Sequence, residues 1–177
     1  MKNTVKADFV QPIAVLTAIC LITSLLLAAI NFVTKPIIDA TEQAIAEAAR
    51  AEVLPAADGF TKLDAELPEG SFVTEVYRAN NGAGYVFMIT CNGYGGKNTM
   101  NLICGVDSEG RIVETKTLSH KETAGLGSKV TEDEFKGQFV GKDGLDGIDT
   151  ISGATFSSNY YIDGIRSALD AYGAIAG

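Results

Sequence analysis

The chain of 177 residues is long enough for one ordinary domain with something small beside it. Hydrophobic residues make up 46% and the formal charge is −8, but the averages hide a contrast: the N-terminal stretch is apolar, while from Pro36 onward 11 Lys plus Arg stand against 21 Asp plus Glu, a net −10. Such an acidic domain argues against nucleic acid and against lying on anionic lipid, and one His with no Cys-x-x-Cys argues against a protein-only zinc or iron–sulfur site.

Residues 1–9 are a short tail carrying Lys2 and Lys6. Residues 10–33 read as a transmembrane helix, because no residue from Pro12 to Val33 is charged and Ile13 to Ile30 is apolar around its whole circumference. About 20 residues at about 1.5 Å each cross a hydrocarbon core of roughly 30 Å. Ala28-Ala29-Ile30 is a poor small-x-small cleavage site, and the apolar run is longer than that of a signal peptide, so the segment reads as a retained anchor. Lys2 and Lys6 precede it, whereas Lys35 is followed by Asp39, Glu42 and Glu47. This narrow excess of positive charge before the span predicts a cytoplasmic N-terminus and a domain on the extracytoplasmic side of the membrane. Residues 34–54 read as a juxtamembrane helix, with Ile37, Ala40, Ala44, Ile45 and Ala48 at helical spacing, Pro36 in its first turn and its end before Pro55.

Residues 55–177 read as a single α+β domain. Ala56 to Gly70 is irregular or short strand structure. Strands are predicted over Phe72–Tyr77, Tyr85–Cys91, Met100–Val106 and Arg111–Ser119, the second apolar on both faces and so central. Asn80-Asn81-Gly82, Gly93 to Gly96 and Asp107 to Gly110 make the connections. Connections this short require antiparallel neighbours, giving a mostly antiparallel, curved sheet closed by a C-terminal helix and by a short one around Thr131 to Lys136. Cys91 and Cys104 flank the middle hairpin, where they could face one another as two buried thiols or a disulfide; Cys20 lies in the apolar segment.

Two loops rich in hydroxyl residues and glycine stand out. The first is Ser119-His120-Lys121-Glu122-Thr123-Ala124-Gly125-Leu126-Gly127. The second is Asp149-Thr150-Ile151-Ser152-Gly153-Ala154-Thr155-Phe156-Ser157-Ser158, followed by Tyr161, Ile165, Ala168, Leu169 and Tyr172 on one helical face. Ser157, Ser158 and Asn159 are good N-caps, so the helix is expected to begin within a residue or two of Ser158 and to run to about Tyr172, ended by Gly173 and Gly177. The Thr155 hydroxyl then lies close to unpaired N–H groups and the positive end of a helix dipole, a position that favours phosphate.

The second loop resembles the flavinylation motif of the FMN-binding domain family, in which Asp, two variable residues, Ser or Thr, Gly, Ala and Thr are followed by further hydroxyl residues. The resemblance implies that Thr155 carries FMN through a phosphodiester installed by a dedicated flavin transferase, with Asp149, Ser152, Gly153, Ala154, Ser157 and Ser158 as context. The family has a similar His-x-Glu-Thr-Pro-Gly-Leu-Gly segment, from which this chain departs only at Ala124. By the same resemblance Glu122, Thr123 and Gly125 would contact the flavin and Leu126 would pack on its ring, with the Gly93-Tyr94-Gly95-Gly96 loop in support. His120 reads as a satisfied surface or core histidine. Tail, span, linker helix and both loops together are similar to the anchored FMN subunits of Rnf-type complexes. That similarity implies electron transfer within an ion-translocating ferredoxin:NAD oxidoreductase, among membrane and peripheral partner subunits, with Na⁺ or H⁺ as the ion. The related subunit of a Na⁺-translocating NADH:quinone oxidoreductase is the second reading. A free-standing anchored flavoprotein reductase and a flavin-free scaffold are the readings from other classes. No nicotinamide fingerprint, Walker loop or metal-ligand cluster is present in the sequence, and no side chain is required as a catalytic acid, base or nucleophile.

Overall fold

The computed structural model describes residues 2–176, which fall into two compact units, Met1–Ala44 and Ile45–Gly177. Helix α1 (Lys2–Val53) supplies all of the first unit and the start of the second. In the first unit its apolar side chains, among them Ile13, Leu16, Ile19, Leu25 and Leu27, are exposed, and the helix is long and apolar enough to cross a membrane. Pro36 does not open a separate helix as its position suggests; it lies inside α1, as does Pro12. Proline removes one backbone bond and crowds the carbonyl four residues earlier, but strongly helical flanks absorb that cost.

The second unit is built on a five-stranded antiparallel meander, β1 (Phe60–Leu63), β2 (Val73–Ala79), β3 (Gly84–Gly93), β4 (Gly96–Asp107) and β5 (Ile112–His120), in sequential order across the sheet. The predicted α+β class holds, and the second predicted strand, Tyr85–Cys91, is β3 and central in the sheet. The Gly93 to Gly96 connection is tighter than a loop. Gly93 pairs with Gly96, which leaves Tyr94 and Gly95 as a two-residue turn. After β5 come a 3₁₀ turn (Gly127–Thr131), the single-turn helix α2 (Asp133–Lys136) and the long helix α3 (Thr155–Ala176).

Period-2 patterning in β3 and β4 sends large apolar side chains to both faces, and each face is covered by a helix. On one face Phe87, Ile89, Cys91, Met100, Leu102 and Cys104 pack with Tyr161, Ile165, Ala168 and Ala171 of α3. At roughly 1.5–3 kcal/mol for each large side chain removed from water, this layer is the main stabilising term of the domain. Phe135, Phe139 and Tyr161 close its end as an aromatic triad with centroids 5.4–5.5 Å apart. The Tyr161 hydroxyl donates to Thr115 Oγ1 at 3.0 Å, which satisfies the one polar atom that burying the ring takes out of water. On the opposite face Val86 and Ile103 pack with Ala49, Val53 and Leu54 at the end of α1. Polar contacts frame that second layer: Arg50 lies 4.2 Å from the centroid of the Tyr77 ring, and Lys116 pairs with Glu52.

Cys91 and Cys104 are free, buried thiols. They do not face one another across the hairpin: Cys91 is in register with Met100 and Cys104 with Phe87, four residue pairs further along. At about 3.4 Å per residue that separation cannot be bridged by a disulfide. Burial pushes the Cys91 thiol up to about 12 and raises that of Cys104 as well. At pH 8 both thiols should therefore be alkylated by iodoacetamide at least tenfold more slowly in the folded chain than in denaturant, as read by mass spectrometry of labelled peptides. Gly105 is where α1 meets the sheet, because a β-carbon there would run into the Val53 carbonyl. Gly105→Ala is expected to lower stability by about 1–3 kcal/mol or more, measured by urea unfolding.

Candidate functional site

Strand β3 ends, β4 begins and β5 ends at one end of the sheet, since Gly93 opposes Gly96 and Met100 opposes His120. Helix α3 starts at the same end and crosses the whole face. Its 22 residues extend about 33 Å, and at the far end Tyr172 donates to the Ser108 carbonyl in the β4–β5 turn. Both sequence loops are therefore brought together around the first turn of α3.

The helix begins earlier than the capping residues suggest. Thr155, not a residue near Ser158, is its first residue, and it passes through Gly173 to Ala176. The reason is that the two serines face inward and act as braces. Ser158 Oγ accepts the Ile151 N–H at 3.1 Å and donates to the Ala154 carbonyl at 3.0 Å, while the Ala154 N–H donates to the Ile151 carbonyl at 2.9 Å. These bonds close residues 151–154 into a turn, which Gly153 completes with φ +80°. Ser157 is 3% exposed and donates to Glu122. Thr155 and Phe156 are left outside, exposed. The first backbone bond of this end runs from the Ser158 N–H to the Ala154 carbonyl at 2.9 Å, so the N–H groups of Thr155, Phe156 and Ser157 occupy the positions where a helix leaves its donors free. An exposed hydroxyl on the N-terminal turn of a long helix is chemically suited to an ester of phosphate, because the dipole and free donors stabilise the anion.

Asp149, at the head of the motif, is fixed through its backbone. Its N–H donates to Gln138 Oε1 at 2.8 Å and its carbonyl accepts from Gln138 Nε2 at 3.3 Å, so that one amide side chain takes the place of a paired strand and leaves the Asp149 side chain exposed. Beside it runs an open groove of about 550 Å³ lined by Lys129, Phe135, Gln138, Asp149, Thr150 and Ser152 among others.

In the first loop the Thr123 carbonyl accepts the N–H groups of Leu126 at 3.2 Å and Ser128 at 3.1 Å, and the Gly125 N–H donates to Ser128 Oγ at 2.9 Å. Thr123 and Leu126 are exposed, and Leu126 reaches over Gly153. His120 is a satisfied surface residue whose Nδ1 accepts the Glu122 N–H at 3.1 Å. Glu122 behaves differently from its neighbours, being only 9% exposed. Its Oε1 accepts the Tyr94 N–H at 2.8 Å and its Oε2 accepts the Ser157 hydroxyl. Gln138, the inward roles of Ser157 and Ser158, and Glu122 as a junction of three segments were not visible as such in the sequence. The glycines flanking Glu122 in space were the available signal. A β-carbon at Gly93 or at Gly127 would overlap a Glu122 carboxylate oxygen, so each glycine leaves room for the same acid from a different segment.

The FMN-binding domain model matches residues 93–170, the span from the hairpin tip to the middle of α3. The G subunit of the proton-translocating ferredoxin:NAD(+) oxidoreductase complex of Clostridium ljungdahlii is 27% identical over 166 residues, covering 88% of this chain and 86% of that protein. The G subunit of the ion-translocating oxidoreductase complex of Methanosarcina acetivorans is 32% identical over 132 residues, covering 67% of this chain and 70% of that protein. The chain belongs to the family of G subunits of ion-translocating oxidoreductase complexes. A further member, from Stutzerimonas stutzeri, is 36% identical over 135 residues, 66% of this chain and 56% of that one. For a G subunit, an FMN-binding domain joined to a helix able to cross a membrane accounts for both compact units.

Within this G-subunit fold, Ser158→Ala removes a buried group that both donates and accepts. It is expected to cost about 1–3 kcal/mol in urea unfolding, with increased hydrogen exchange confined to the 151–154 turn.

Proposed function

We propose that this chain is the electron-carrying subunit of a membrane-bound, ion-translocating ferredoxin:NAD⁺ oxidoreductase of the Rnf type, with FMN attached to Thr155 through a phosphodiester. The observation that carries the reading is the exposed Thr155 hydroxyl at the first position of α3, in a turn held by Ser158 and flanked by Leu126. The helix N-terminus and the adjoining apolar side chains suit the phosphate and the ring of FMN, respectively. The names and coverage of the related subunits favour this assembly over a quinone-reducing one.

Attachment requires a donor that carries FMN in a phosphoanhydride, as a flavin dinucleotide does. With such a donor Thr155 Oγ would form the new bond to phosphorus as the anhydride bond breaks, the nucleoside monophosphate would leave, and the hydroxyl proton would pass to a base of the transferase. Once bound, the flavin supplies one- and two-electron chemistry. The work of the protein is to fix it at the domain surface, where partner subunits can approach. α1 serves as the anchor, with residues 10–33 in the membrane, the tail in the cytoplasm and the FMN domain on the extracytoplasmic side. A covalent tether would keep the flavin from diffusing away there. The partners are the membrane and peripheral subunits of the complex, and the transferase during maturation.

On coexpression with an active flavin transferase, the intact chain should gain the mass of FMN less one water, mapped to the peptide containing Thr155. Thr155→Ala and Thr155→Val should abolish the gain and the flavin fluorescence of the denatured band while leaving the circular dichroism unchanged, and Thr155→Ser should retain part of it. Covalent FMN on Thr155→Ala would overturn the assignment.

A further inference from the structure

Glu122 is the only carboxylate in the second unit that is buried among the described residues, and neither of its oxygens is left free. Oε1 takes the Tyr94 N–H of the β3–β4 turn at 2.8 Å, Oε2 takes the hydroxyl of Ser157 in the first turn of α3, and its own N–H is held by His120 at the end of β5. Charge-assisted bonds of this kind are about twice as strong as neutral ones, and a carboxylate against the first turn of a helix is favoured by the dipole. Gly93 and Gly127 leave the space it fills, since a β-carbon on either would overlap an oxygen.

The segments joined by this one acid share a second property. Large apolar side chains exposed in the second unit beyond α1 are Tyr94 at 69%, Leu126 at 52%, Phe156 at 67% and Val140 at 46%. The first three lie one on each segment that meets at Glu122: Tyr94 on the hairpin turn, Leu126 on the 122–127 loop and Phe156 next to Ser157. These three exposed apolar side chains thus lie on segments that meet beside the first turn of α3, which carries the exposed Thr155, and such a surface suits a flat, apolar ring tethered at that threonine.

Resting on the assignment of Thr155 above, we propose that Glu122 is a positioning residue and not a ligand of the flavin. Its carboxylate locks the hairpin turn, the loop and the first turn of α3 into one body. That body presents Thr155 in the conformation the transferase uses, and it holds Tyr94, Leu126 and Phe156 as the platform for the attached ring. The acid thus acts through the segments it joins, and its negative charge would be felt by a ring held on that platform.

The test compares the full-length wild type with Glu122→Gln, which keeps shape but loses the charge, so that the Tyr94 N–H meets only a neutral acceptor and the Ser157 hydroxyl must turn from donor to acceptor. In flavin-free chain from a host lacking the transferase, hydrogen exchange at the Tyr94 amide and across residues 123–128 should rise at least tenfold in the variant, with the β3–β4 core unchanged. When transferase and flavin dinucleotide are supplied, the initial rate of FMN transfer should fall at least tenfold. The flavin that is attached should show a more positive midpoint potential, because a negative charge near the ring has been removed. Glu122→Asp, which keeps the charge but shortens the reach, should leave the potential near that of the wild type while transfer stays slow. Unchanged exchange at Tyr94 in Glu122→Gln overturns the proposal whether or not flavin is present. Raised exchange with an unaltered transfer rate and potential overturns the role at the site and leaves the Thr155 assignment standing, whereas covalent FMN on Thr155→Ala removes that assignment alone. Should Glu122→Gln fail to fold, Ser157→Ala removes one of the two partners and carries the same comparison, with transfer slowed and the Tyr94 amide still protected.

Discussion

The β3–β4 pair is apolar on both faces, and a sheet of that kind is stable only when both faces are covered. The rest of the domain follows from this constraint. α3 must lie along one face, and its 22 residues match the length of the strands beneath it. The end of α1 must cover the other, close enough that Gly105 has no room for a side chain. With both faces occupied, only the ends of the sheet can carry exposed loops. The end chosen for the site is where a two-residue turn, the exit of β5 and the start of α3 coincide.

Helical geometry then divides the hydroxyls of the motif. Successive residues are turned by about 100° around the axis, so among neighbours at the start of α3 some must face the sheet and others solvent. Ser157 and Ser158 face inward, 3% and 0% exposed, and are consumed in holding the acid and the turn. Thr155 faces outward. The same rotation that hides two hydroxyls presents the third on a rigid element, the arrangement that positions a reactive group most accurately.

Much of this architecture was legible from pattern alone. Alternation, short glycine and asparagine turns and the apolar run of β3 specify an antiparallel meander with that strand in the middle, because period-2 burial and short connections leave few other arrangements. The stretch from Asp149 to Ser158 stood out for the same reason that it folds as it does: small and hydroxyl residues cluster where a chain turns into a helix. What stayed hidden depends on contacts distant in sequence. Ser157 and Ser158 look like caps because local rules score a hydroxyl near a helix start as one, and only the 35-residue separation between Ser157 and Glu122 shows what Ser157 bonds to. Glu122 is singled out in the sequence only by resemblance, as a flavin contact, and its burial shows only when Gly93 and Gly127 are seen to make room for it. Cys91 and Cys104 look like facing partners only while the turn between them is undefined; the turn sets the register of the hairpin, and a two-residue turn at Tyr94 and Gly95 pairs Cys91 with Met100.

The character of the site bears on why a covalent bond would be useful here. Flavin sites that rely on non-covalent affinity usually enclose the ligand, since burial of most of its surface supplies the binding energy. Around the motif from Asp149 to Phe156 the domain offers instead an open groove beside Asp149 to Ser152, a helix N-terminus and exposed apolar side chains, with Lys129 as the cation lining the groove. Backbone N–H groups would offset one phosphate charge without adding an arginine cluster to an acidic surface. A carrier must leave its ring near enough to the surface for electrons to pass to other subunits, and exposure weakens retention. A phosphodiester at Thr155, as proposed, would separate the two requirements: the bond would retain the flavin, and the protein surface would be free to remain open to its partners.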